Sequence, residues 1–229
     1  MLIDEANLGA TIDAVNARLS SGDRLRDAER ISVVTWLLGR QRQTGRGSGT
    51  FELFPNEFDR GVGLFTGERL RTRTAARSVL TLESARILSL LGDEREDVHE
   101  ALSRTSIAMR HACFAASHCV IGECAHSSIA YLREAAADRS GKRRKWIEKH
   151  LALIREHRDG SGRWRRFPFY YTLLALVEVG TPAANAELEY ANPACQRVFE
   201  RASNGEHAAR RRDVLRRALE GSTGLLPVH

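Results

Sequence analysis

The stretch Leu153-Ile154-Arg155-Glu156-His157-Arg158-Asp159-Gly160-Ser161-Gly162-Arg163-Trp164 decides the fold. Its first half closes a segment, Lys142 to Arg158, whose apolar residues recur at helical spacing. Asp159-Gly160-Ser161-Gly162 then stops the helix, because glycine accepts the backbone angles a side chain resists. Pro168 follows near the first turn of a second apolar segment, Phe167 to Val179, and Gly180 ends that one. The local unit is therefore a helix, a glycine turn closed by an aromatic residue, and a second helix.

The same form occurs earlier. Trp36-Leu37-Leu38-Gly39-Arg40-Gln41 ends a helix that begins after Asp23, and a Gly-rich insertion separates it from Gly49-Thr50-Phe51. Ile31, Val34, Leu37 and Leu38 mark its expected apolar stripe. Outward from the two copies the chain reads as helix throughout. Asp4 to Leu19 is closed by Ser20-Ser21-Gly22; a helix from Thr72 or Thr74 stops at Gly92; another runs from Asp93 to about Ser117. Ala125 to Asp138 stops at Ser140-Gly141, Pro182 opens a stretch kinked near Pro193, and His207 to Glu220 is a last basic helix. Residues 44–71 read as a long irregular loop that carries GRGSG, taken as a flexible turn, and four phenylalanines; residues 221–229 read as a flexible tail. No segment alternates like a strand, so the expectation is a single all-α domain of successive antiparallel helical hairpins.

Paired helix ends of this kind resemble the QW-type repeat of the terpenoid cyclase and protein prenyltransferase superfamily. There a Gln at the end of an outer helix and a Trp after a Gly turn tie one hairpin to the next inner helix. The resemblance implies an α/α toroid, short or open at this length, with Phe169 to Leu176 as an inner helix. It also implies a central pocket for a small or isoprenoid-like substrate. Glu68, Arg73, Tyr170 and Tyr171 are its expected substrate-binding residues, near the N-terminal ends of inner helices. The chain has neither an Asp-x-Asp-Asp acid motif nor an Asp-x-Cys with a later His, so the likeness carries a fold and no reaction.

The chemistry is densest from Met109 to Ala130, MRHACFAASHCVIGECAHSSIA. Three of the chain's four cysteines stand here beside His111, His118, Glu123 and His126. Cysteines crowded in this way in a long chain point to metal binding or burial rather than to a disulfide framework. The expected site is zinc on Cys113, Cys119, Cys124 and His126, with Glu123 as the catalytic acid or base. A thiol nucleophile at Cys124, served by His126 or His118, is the alternative chemistry, and plain packing of a helix corner is the bland one.

Net charge is +6, with 42 % hydrophobic residues. The surplus gathers between Arg139 and Arg166, a face that suits an acidic protein or nucleic acid and supports a non-catalytic binding or scaffold module as the second function. No apolar run is long enough to span a bilayer and no leader precedes the first helix, so a cytoplasmic protein is expected. Dimerisation is expected too, since an open helical arc leaves apolar flanks to cover.

Overall fold

The computed structural model describes residues 2–59, 61–91, 95–138, 140–201 and 205–222. Among them are ten α-helices and one two-stranded hairpin, so the protein is all-α. The helices are α1 (Leu8–Ser20), α2 (Asp27–Arg40), α3 (Arg73–Leu90), α4 (Glu96–Met109), α5 (Cys113–Ala116), α6 (Cys124–Ala137), α7 (Arg144–Glu156), α8 (Phe169–Val179), α9 (Pro182–Phe199) and α10 (Ala208–Ser222). None is long and apolar enough to cross a membrane among the described residues.

The contacts divide the chain into two compact units, Met1–Phe65 with Arg69–Cys119, and Thr66–Glu68 with Val120–His229. In the first unit α3 is central. Side chains on all its faces are buried from Val79 through Leu88, because it packs against α1, α2 and α4. In the second unit α8 holds the same place, with Tyr171 through Val177 buried against α6, α9 and α10. A leucine such as Leu173 or Leu176, fully enclosed, contributes about 1.5–3 kcal/mol of transfer free energy. The flanking helices are amphipathic: α2 buries only Val33, Val34 and Leu37, and α7 only His150, Leu151 and Ile154.

The packing order repeats. α1 lies on α3, α3 on α4 and α2 on α4; likewise α6 lies on α8, α8 on α9 and α7 on α9. The last helix, α10, packs on both α8 and α9.

Several boundaries differ from those expected. α1 starts at Leu8, because the Asn7 side chain accepts a hydrogen bond from the Ala10 N–H and caps it there. Ile31 is 49 % exposed, so the inward stripe of α2 runs through Val33, Val34 and Leu37. The helix expected from Asp93 to Ser117 is broken after Met109 into α4 and the short α5. Helix α9 runs unbroken through Pro193, where packing against α7, α8 and α10 outweighs one lost backbone hydrogen bond. The expected stop at Gly92 and most of the expected tail lie outside the described residues.

The loop over residues 44–71 is also more ordered in form than expected. It holds a 3-10 turn, Pro55–Phe58, and an antiparallel hairpin of β1 (Val62–Gly63) and β2 (Arg69–Leu70), with Val62 opposite Leu70.

Candidate metal centre and the two helix ties

Each helix tie can be built from its backbone. At the end of α2, Gln41 pairs across an antiparallel bridge with Phe51, and at the end of α7, Arg158 pairs with Trp164. The loops between are closed by the Arg42 N–H on the Thr50 carbonyl (2.9 Å) and by the Asp159 N–H on the Arg163 carbonyl (3.0 Å). The residue before each loop then reaches a neighbouring helix. Gln41 donates to the Ala101 carbonyl (2.8 Å) and Thr105 Oγ1 (3.0 Å) on α4. Arg158 donates through Nε (3.0 Å) and Nη2 (2.9 Å) to the Glu187 carboxylate on α9. The closing aromatics are buried at 1 % exposure for Phe51 and 4 % for Trp164, whose Nε1 also donates to Glu187 (3.0 Å).

A glycine makes each approach possible. A Cβ on Gly49 would stand 2.3 Å from the Arg104 carbonyl oxygen of α4, and one on Gly162 would stand 2.9 Å from Ala194 Cβ of α9. Both glycines have φ in the left-handed region, 82° and 89°.

The cysteine-rich stretch forms a corner on continuous chain. After α5 the backbone turns back at His118, whose φ is 50°, and the Cys119 N–H reaches the Cys113 carbonyl at 3.2 Å. A second turn at Gly122 carries the chain into α6, which opens at Cys124. The thiol sulfurs of Cys113, Cys119 and Cys124 lie within 4.8 Å of one another, a group able to hold a metal ion. None is in a disulfide. Cys113 is exposed and the other two are half-buried, so an ion has access.

His126, the fourth expected ligand, stands outside that group of three. Its Nδ1 is buried and makes no hydrogen bond among the described residues. Burial lowers its pKa, against the opposing pull of Glu68 and Glu123, and so favours the neutral ring that can donate a lone pair. Glu123 is half-buried at the N-cap of α6 and makes no side-chain capping bond there.

The Glu68 carboxylate accepts from the Thr66 hydroxyl and from the Tyr171 N–H (3.3 Å), placing a negative charge at the first turn of α8. Arg73 lies over the Phe58 ring at 4.8 Å. Tyr171 is a core residue, 1 % exposed, with the Arg133 guanidinium 5.2 Å from its ring. Tyr170 carries Arg211 at 4.7 Å and lines a cavity of about 240 Å³ with Phe199 and Arg212.

The basic face is partly spent inside the protein. Arg143 pairs with Glu134, and Arg155 (3.1 Å) and Arg158 (2.9 Å) pair with Glu187. Lys142, Lys145, Lys149, Arg165 and Arg166 remain exposed; Arg139 lies outside the described residues.

The sequence reading missed a cavity of about 490 Å³ in the first unit, beside the glycine loop. The signal was the density of arginine at 40, 42 and 46 and again at 71, 73 and 77. No family model, curated protein or solved structure matches the chain.

Proposed function

We propose that the protein binds a thiophilic metal ion, zinc in the first instance, through Cys113, Cys119 and Cys124. The observation that carries this is the mutual approach of three sulfurs within 4.8 Å on one short stretch of chain. Tetrahedral zinc with Zn–S bonds near 2.3 Å holds its thiolates ~3.8 Å apart, so closing the corner on an ion takes a shift of about 1 Å.

Three protein ligands leave one position for water or substrate, the pattern of catalytic rather than structural zinc. Glu123, next to Cys124 in the chain, is the acid–base group for a metal-assisted reaction. His126 is the donor that would close the site if it turns toward the ion. The doubled helix tie supports kinship with the α/α toroids of the terpenoid cyclase and prenyltransferase type, and with it a small-molecule substrate.

The test is metal content by plasma mass spectrometry of the purified chain, with cobalt substitution of the stripped protein. The expected outcome is one equivalent of zinc, a thiolate-to-cobalt charge-transfer band, and loss of both in Cys113→Ser, Cys119→Ser and Cys124→Ser. Retention in His126→Ala marks an open fourth position. A chain that takes up no zinc at stoichiometric addition, or takes it up equally without the three thiols, overturns the proposal.

A further inference from the structure

The 490 Å³ cavity lies wholly within the first unit, and its size falls in the ~300–1,000 Å³ range of small-molecule sites. Four guanidiniums line it, from Arg40, Arg42, Arg46 and Arg77, against a single carboxylate, Glu52. Glu52 is already engaged: its carboxylate takes Arg42 Nε at 2.8 Å, and its backbone carbonyl takes Arg40 Nη2 at 2.8 Å. Arg46 and Arg77 are exposed, and their side chains make no ion pair or hydrogen bond among the described residues.

The surroundings add positive potential. Arg77 stands in the second turn of α3, whose first turn holds no acidic residue to offset the positive end of the helix. The lining also holds the half-buried rings of Phe54, under Arg40 at 4.0 Å, and Phe58, under Arg73 at 4.8 Å. Arginines on a convex face are served by water. Gathered on the wall of a concavity they repel one another, and an anion that bridges the two uncommitted forks removes that cost. A dianionic phosphate matches two planar guanidiniums better than a carboxylate does.

We propose that this cavity binds a small phosphorylated ligand with an aromatic body, the phosphate held between Arg46 and Arg77 and the ring against Phe54 and Phe58. The site is separate from the cysteine corner and stands or falls independently of it.

Calorimetry of the full chain at low salt, with phenyl phosphate as probe beside inorganic phosphate and benzoate, tests it. Phenyl phosphate is expected to saturate one site and to bind at least tenfold tighter than either fragment. Arg46→Ala and Arg77→Ala are each expected to weaken it tenfold or more without shifting the melting temperature, since both side chains are exposed. Phe54→Leu is expected to weaken phenyl phosphate while sparing inorganic phosphate. Binding that is unsaturable, or unchanged in the arginine variants, overturns the proposal. So does an oligonucleotide that binds more tightly with length and is not displaced by phenyl phosphate, because that behaviour belongs to a charged surface.

Discussion

The tie after α2 and the tie after α7 share a backbone and differ in chemistry. The first is neutral: Gln41 meets a carbonyl and a hydroxyl on α4 and accepts from Arg104 Nε at 3.0 Å. The second is ionic: a fully buried Glu187 gathers Arg155, Arg158 and the Trp164 indole. What is common is the glycine jammed against the next helix and the buried aromatic that closes the loop. The shared requirement is thus steric, and the polar partners are exchangeable as long as each buried group is answered. The longer loop of the first copy also leaves room beside it for the arginine-lined cavity, whereas the second closes directly on Tyr190, whose hydroxyl accepts the Gly160 N–H at 2.8 Å.

The largest effect is expected at Gly49→Ala. The new Cβ meets backbone rather than a movable side chain, and the left-handed φ adds strain, so stability of the first unit should fall by about 3 kcal/mol or more. Urea unfolding followed by the fluorescence of Trp36, the tryptophan of that unit, measures it. A loss below ~1 kcal/mol would show that α4 is free to move away, and the steric account of the tie would fail.

Next comes Glu187→Gln, expected to cost about 2–3 kcal/mol by leaving the Trp164 indole and two guanidiniums poorly answered. Both arginines retain access to water, which keeps the loss below that of a wholly buried pair. The corresponding Gln41→Glu should show no gain from its charge, since α4 offers it Arg104 but also the Ala101 carbonyl. If the two substitutions behave alike in denaturant, the distinction between a neutral and an ionic tie is lost.

A smaller effect separates Gly162 from Gly160. Both have left-handed φ, but only Gly162 has neighbours within 4 Å of a Cβ. Gly160→Ala should cost about 1 kcal/mol of conformational strain, and Gly162→Ala clearly more. Equal melting temperatures in the two variants would place the cost in φ alone.

A further effect, absent near neutral pH, concerns α9, which carries a buried Cys195 where α4 carries no cysteine. Burial pushes its thiol up to about 12 from an ordinary 9.0. The folded state holds this proton more tightly than the unfolded state, so the contribution is complete below pH 9 and is lost as pH rises from 9 toward 12. Stability measured across that window should fall less steeply in Cys195→Ala than in the parent chain. At pH 8 an alkylating reagent should label the exposed Cys113 and spare Cys195 until the chain unfolds.

Much of the helical order was legible in the chain because its signals are local. The expected stop at Ser20-Ser21-Gly22 is met by the C-cap at Ser21 and a left-handed Gly22, and Gly180 closes α8 with φ 59°. Thr181 caps α9 with Pro182 at its first turn, as a proline with no N–H to offer allows. The break between α4 and α5 was not legible, since Arg110, His111 and Ala112 carry no glycine or proline to announce it. The expected metal ligands included the three cysteines that converge, because crowding in sequence on a turning chain brings side chains together. Their distance from His126 was not readable, because it depends on which face of α6 the ring takes.

The sequence by itself determined the helices, their stops and the twofold recurrence of a glycine turn closed by an aromatic, since backbone preference and apolar periodicity act over a few residues. Only tertiary structure decided what Gln41 and Arg158 reach, and which arginines share a cavity. Arg46 and Arg77 stand far apart in sequence, and although arginine is dense around each, their common surroundings arise from the packing of a loop against the start of α3, which neither cluster encodes.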